Sequence, residues 1–139
     1  MKIIGIGVDI VHNKRISNLL KRKTFINRTY SINEIKNSIK LSDKTNYYAK
    51  RFAAKESFVK ALGSGFRDGI NFKDIEIYNN KLGKPFYFIS KKIKNIVKKK
   101  KNLNNFELFL SISDEKEYSI AFTLIEKIKW LAKKTLLKI

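Results

Sequence analysis

Asn46-Tyr47-Tyr48-Ala49-Lys50-Arg51-Phe52-Ala53-Ala54-Lys55-Glu56-Ser57-Phe58-Val59-Lys60-Ala61-Leu62-Gly63 is the stretch on which the fold turns. It has no proline, and its one glycine stands at the end. The pattern predicts a helix from about Thr45 to Leu62, stopped by Gly63. Wound at about 100° per residue, Tyr48, Phe52 and Val59 form one apolar stripe, and Ala54, Phe58, Ala61 and Leu62 form another. A helix apolar on nearly every side is a buried one, so this helix is expected at the centre of the molecule. Between the stripes lies a sector of Ala49, Ala53, Glu56 and Lys60, in which the two alanines leave room beside the charged pair. Glu56 and Lys60 stand four apart and are therefore neighbours on the helix surface. A carboxylate and an ammonium over small residues suit a metal and a phosphate. They equally suit an ordinary ion pair worth about a few tenths of a kcal/mol, and spacing alone favours the ion pair.

Working outward, Ile3 to Val11 is short, apolar and β-branched, and reads as a buried strand. Side chains alternate along a strand, so Ile4, Ile6, Val8 and Ile10 share one face and Gly5, Gly7 and Asp9 the other. A carboxylate at the end of a buried strand is costly unless paired or bound to a cation. Asp9 is therefore either a ligand-binding residue, beside glycines that leave the backbone open to a ligand, or a cap for the next helix. Arg15, Ile16, Leu19 and Leu20 have helical spacing, and Ser31-Ile32-Asn33-Glu34 fits a capping box. Phe72 to Tyr78 and Pro85 to Ile89 read as strands around the turn Lys81-Leu82-Gly83-Lys84-Pro85. Lys91 to Lys101 reads as a lysine-rich helix, with Ile93, Ile96 and Val97 facing in. Phe106 to Ser113 and Tyr118 to Ile125 read as a strand pair joined by Asp114-Glu115-Lys116-Glu117. Hairpins interrupted by helices point to an α+β fold, with a mixed, mostly antiparallel sheet packed on a long central helix.

Composition narrows the function. The 139 residues suit one domain, and 43% hydrophobic residues suffice for a core. No apolar run reaches the length of a membrane span, and the N-terminus lacks a signal-peptide pattern, so a cytoplasmic protein is expected. There is no cysteine, which excludes disulfides and thiolate chemistry, and the single histidine, His12, cannot build a zinc site alone. The net charge of +19 attracts polyanions of any kind. Its lysines travel with many Ile, Asn, Phe and Tyr residues, all with A/T-rich codons, so genome composition accounts for much of the excess. No nucleic-acid-binding motif appears, and Gly63-Ser64-Gly65 is not part of a P-loop.

Ile4-Gly5-Ile6-Gly7-Val8-Asp9-Ile10-Val11, followed by Arg15-Ile16, resembles the opening motif of bacterial holo-acyl-carrier-protein synthases, a type of 4'-phosphopantetheinyl transferase. Arg51-Phe52-Ala53-Ala54-Lys55-Glu56-Ser57 and Lys60-Ala61-Leu62-Gly63-Ser64-Gly65 resemble their central helix and loop. Phe72-Lys73-Asp74-Ile75-Glu76-Ile77, Gly83-Lys84-Pro85, Leu110-Ser111-Ile112-Ser113 and Tyr118-Ser119-Ile120-Ala121 are similar to the later strands. The resemblance covers about Ile3 to Ile125 and divides the chain into a transferase domain, 1–125, and a C-terminal basic amphipathic extension, 126–139.

The resemblance implies a homotrimer with active sites between subunits. It implies Mg²⁺ held by Asp9 and Glu56 together with the pyrophosphate of the substrate coenzyme A, a ligand set that suits magnesium. It also implies transfer of 4'-phosphopantetheine from coenzyme A to a serine of an acidic acyl carrier protein. Asp9, Glu56 and Lys60 would be catalytic. Glu56 would take the serine proton, directly or through water, and Lys60 would stabilise the leaving group. Arg51, Lys55, Lys60, Gly63, Ser64, Gly65 and Pro85 would contact coenzyme A, and Arg15, Arg22 and Arg28 the carrier protein. The chain departs from the family at Asp114, where many members have histidine. In the extension, Ile128, Leu131, Ala132, Thr135, Leu136 and Ile139 trace a helical stripe beside five lysines. Such a helix can lie on a membrane surface, but docking on its own trimer is the preferred reading. The competing functions are a basic nucleic-acid-binding protein, which leaves Asp9 and Glu56 unexplained, and an inactive homologue.

Overall fold

The computed structural model describes residues 1–63 and 69–129. The chain runs β1 (Lys2–His12), α1 (Asn13–Leu19), α2 (Lys23–Thr29), α3 (Ile32–Ser38), α4 (Lys44–Leu62), a 3-10 turn (Phe72–Asp74), β2 (Ile75–Asn79), β3 (Pro85–Ile89), α5 (Lys91–Lys101), β4 (Phe106–Asp114) and β5 (Tyr118–Lys127). This is the expected α+β order. The strands form two sheets: a three-stranded one ordered β1-β5-β4 and a β2-β3 hairpin. Every pairing among the described residues is antiparallel. The segment read as a strand from Phe72 begins as the 3-10 turn and becomes strand only at Ile75. Glu126 and Lys127, counted with the extension, are strand residues paired to both neighbours of β5. The remainder of the extension from residue 130, including its apolar stripe, lies outside the described residues.

Local signals set the elements. Ser31 and Glu34 exchange both bonds of the capping box, and the Asp43 side chain caps α4 at the amide of Asn46. Gly63 ends α4 at φ +80°, a left-handed conformation suited to glycine. Ile93 and Val97 turn α5 into the core beneath Phe58, Val59 and Leu62, while its lysines face out.

The central helix is buried as expected, and β1 explains how. A Cβ on Gly7 would overlap the carbonyl oxygen of Ser57 and the amide of Ala61, and one on Gly5 would overlap the carbonyl oxygen of Ala61. The backbone of α4 therefore lies directly on the glycine face of β1. Two strand residues advance about 6.6 Å and four helix residues about 6 Å, so strand and helix stay in step. The glycines are filled by helix, which corrects the expectation that they leave room for a ligand. The opposite face, with Ile6, Val8 and Ile10, is exposed, so β1 is not buried on both sides within one chain. Ile4 is the extra residue at a bulge between Ile3 and Gly5.

Candidate active site

Because β1 and α4 run in step, Asp9 reaches the polar sector of α4. Lys60 Nζ donates to Asp9 Oδ1 at 2.8 Å. The Asp9 side chain is 13% exposed and that of Lys60 is 53% exposed, so the lysine closes the site from the solvent side. Glu56 is half-buried beside them. Burial pushes its carboxyl above the usual carboxylate range, and the negative charge of Asp9 pushes it further, while Lys60 and Arg15 act against the shift. Asp9, Glu56, Lys60 and Arg15 thus interact as one group. Among the described residues no cluster of three or more His, Cys, Asp or Glu gathers anywhere.

Glu56 opens into a cleft of about 780 Å³. α1 supplies Arg15 and Leu19, Arg22 comes from just before α2, α2 supplies Phe25 and Arg28 among others, α4 supplies Phe52 and Glu56, and the segment Gly69 to Lys73 completes the lining. Arg15, Arg22 and Arg28, three separate expectations of the sequence, therefore line one cavity. The arginines and Glu56 give it both a cationic lining and a carboxyl whose pKa stands above its ordinary value.

The other expected ligand residues separate. Arg51 lies in a second hollow of about 500 Å³ with Asn46, Tyr47, Lys50 and Asn79. Its guanidinium sits 3.6 Å over the Tyr47 ring and donates to Asn79 Oδ1 at 2.7 Å. Pro85 pairs with Asn79 and so adjoins this hollow, not the cleft. Gly63 serves as the cap of α4, and Ser64 and Gly65 lie outside the described residues. Lys55 contradicts its expected contact with coenzyme A. It is wholly buried, and its ammonium spends its three N–H donors on Glu34 Oε1 (2.6 Å), the Phe72 carbonyl (3.0 Å) and the Ile75 carbonyl (2.6 Å). Asp114 ends β4 and accepts from Asn46 Nδ2 at 2.8 Å, which ties this strand to the start of α4.

Sequence reasoning missed Glu34 as more than a cap: it is buried beside Lys55, with Arg51 Nε at 3.8 Å. It also missed a buried hydroxyl cluster. Thr123 on β5 meets Ser57 and Tyr87 at 2.6 Å each, and Tyr87 donates to the Ala54 carbonyl at 2.6 Å, joining β5, β3 and α4. Burial pushes the Tyr87 hydroxyl well up, so it stays protonated and available to donate.

Residues 5–123 match the family model described as the 4'-phosphopantetheinyl transferase superfamily. The chain belongs to this family. It is 54% identical over 127 residues to a holo-[acyl-carrier-protein] synthase from Pelagibacter ubique, an alignment covering 91% of this chain and 99% of that protein. Among solved structures, the holo-[acyl-carrier-protein] synthase from Neisseria meningitidis superposes with a TM-score of 0.81 at 38% identity, covering 91% of this chain and all of that one. A holo-(acyl-carrier-protein) synthase from Bacillus anthracis, solved in complex with CoA (3',5'-ADP), superposes at 0.74 and 34% identity, covering 91% and 98%. The matched span contains Asp9, Glu56, Lys60 and all three cleft arginines.

Proposed function

We propose that this chain transfers 4'-phosphopantetheine from coenzyme A to a serine hydroxyl of an apo acyl carrier protein, releasing adenosine 3',5'-bisphosphate. The observation that carries the reading is the coupled group Asp9, Glu56 and Lys60 at the edge of an arginine-lined cleft. The serine oxygen forms a bond to the β-phosphorus of coenzyme A, and the bond from that phosphorus to the bridging oxygen breaks. Glu56 accepts the serine proton; its raised pKa makes it a better base than an exposed carboxylate. Lys60, half-exposed beside Asp9, stabilises the charge on the departing bisphosphate. Arg15, Arg22 and Arg28 offer an acidic carrier protein a complementary surface at the cleft.

Magnesium fits these residues. Asp9 and Glu56 lie close enough for the charge of one to raise the pKa of the other, and a divalent cation relieves that repulsion. Mg²⁺ is commonly held by one or two carboxylates plus substrate phosphates, so no third acid is required. Bound there, it would supply neutralisation of the pyrophosphate charge.

The outer face of the three-stranded sheet supports a homotrimer. Ile6, Val8, Ile10, Phe109, Ile120 and Phe122 are each between 40% and 61% exposed in the single chain, on neighbouring strands. A contiguous apolar patch of this kind marks an interaction surface. A cytoplasmic place and a role in fatty acid synthesis complete the reading. Among the described residues no helix is long and apolar enough to cross a membrane.

Mass spectrometry of an apo carrier protein incubated with this protein, coenzyme A and Mg²⁺ tests the reaction, with EDTA as control. A phosphopantetheine-sized gain that disappears with EDTA is expected. No gain on several carriers would overturn the reading and turn attention to nucleic-acid binding across a salt series. Glu56→Gln is expected to lower turnover by about 10²–10⁴-fold, the usual contribution of a general base, with the assembly intact. Near-normal turnover would remove Glu56 from the role of base.

A further inference from the structure

We propose that Lys55 is a positioning residue that holds the carrier-docking side of the cleft at its working distance from the catalytic helix; this rests on the transferase reading above. Lys55 precedes Glu56 on α4 but points into the core, where its ammonium bonds the carbonyls of Phe72 and Ile75 at the two ends of the segment containing the 3-10 turn. Asn71, Phe72 and Lys73 of that segment line the cleft, and the turn packs on α2, which carries Arg28 and follows Arg22. The third bond of Lys55 goes to Glu34, whose other oxygen accepts from the Ile77 amide on β2. One side chain therefore joins α4, α3 and both ends of the cleft-lining turn.

A stabilising role alone is a poor account of this arrangement. A buried ion pair contributes little net stability, because desolvation cancels most of the attraction, and apolar residues of equal volume often serve as well. An apolar replacement cannot bond two carbonyls in fixed directions. What Lys55 adds is the distance between the Asn71–Lys73 segment, with α2 behind it, and the α4 backbone that carries Glu56. Asp9, Glu56 and Lys60 stand on β1 and α4, which the glycine contacts lock together without Lys55. Loosening the tether is thus expected to disturb carrier docking while leaving the reacting groups in place.

The test is steady-state kinetics of Lys55→Met combined with Glu34→Gln. The methionine keeps the stem and removes the donors, and the glutamine avoids leaving a buried unpaired charge. Val97→Ala, in the buried cluster under α5, serves as a destabilised control. At a temperature where all variants are folded by near-UV circular dichroism, the double variant is expected to raise the KM for the carrier protein at least tenfold. Its kcat at saturating carrier and its KM for coenzyme A are expected to stay within threefold of the parent, and Val97→Ala is expected to leave every KM unchanged. A carrier KM within twofold of the parent, or an equal rise in Val97→Ala, would overturn the proposal. If the double variant does not fold, Lys55→Leu combined with Glu34→Gln, which also removes every donor and leaves no buried unpaired charge, is read in the same way. A parent enzyme that fails to modify the carrier would instead sink the transferase reading itself.

Discussion

The two faces of β1 are built from one run of eleven residues and behave as different molecules. The inner face, Gly5, Gly7, Asp9 and Val11, finds its partners within the chain: the glycines meet the α4 backbone, Asp9 meets Lys60, and Val11 enters the core. The outer face, Ile6, Val8 and Ile10, is as apolar as a core yet exposed. Alternation at period two makes this possible, since each residue belongs to one face only. The inner face shows what its two glycines do. Without side chains between them, strand and helix approach until an aspartate on one reaches a lysine and a glutamate on the other. The outer face leaves an exposed apolar surface on the reverse of the strand that carries Asp9, and the proposed assembly rests on that surface.

The comparison breaks hardest at Gly7. Gly7→Val is expected to destabilise the fold severely, because the new side chain meets helix backbone, which cannot move aside as a flexible side chain can. Overpacking of a well-packed core costs about 1–3 kcal/mol and more against rigid neighbours, out of a total stability of about 5–15 kcal/mol. A melting temperature well below the parent's checks this. A variant that melts like the parent would mean that α4 does not rest on β1. One residue along, Val8→Glu on the outer face is expected to leave the secondary structure of the chain intact by circular dichroism, to yield monomers by sedimentation, and to lose transfer activity with the assembly. A trimer that survives with full activity would show that the apolar face is not the subunit contact.

Legibility followed distance along the chain. The capping box at Ser31 and Glu34, the glycine stop of α4 and the amphipathic α5 each depend on residues a few positions apart, and each stands where the sequence placed it; the β2-β3 hairpin does so too, except that β2 starts at Ile75 and not at Phe72. Asp9 was legible as a costly carboxylate and Glu56 as one half of a charged pair with Lys60, although only the resemblance joined the two carboxylates. Lys55 was not legible. It lies five residues before Lys60, a separation of about 140° around the helix, so one lysine faces the core and the other faces Asp9 and solvent. Nothing local distinguishes them, because the partner that makes Lys55 burial tolerable, Glu34, is 21 residues away and reads as a helix cap. The roles of Gly5 and Gly7 were misread for a similar reason: a bare backbone admits either a ligand or a helix, and the strand alone does not say which.

The smallest expected effect separates the inner face as structure from the inner face as a charged site. Glu56 has a pKa raised by burial and by Asp9, so folding favours its protonated form. The stability contributed by that form is fully present below the ordinary carboxylate pKa and is lost as pH rises through the raised value. At neutral pH without metal, ionised Glu56 is therefore a small liability to the fold, and Glu56→Gln, which cannot ionise, is expected to melt slightly higher than the parent. The gap should close at a pH low enough to protonate the parent, and should narrow at neutral pH when Mg²⁺ is added, because a cation offsets the repulsion between Asp9 and Glu56. Thermal melts in EDTA at two pH values, and one with Mg²⁺, read all three effects. A glutamine variant that melts lower at neutral pH without metal would mean that Lys60 and Arg15 already outweigh burial and Asp9. The inner face would then be an internally balanced ion cluster that needs no cation to settle it.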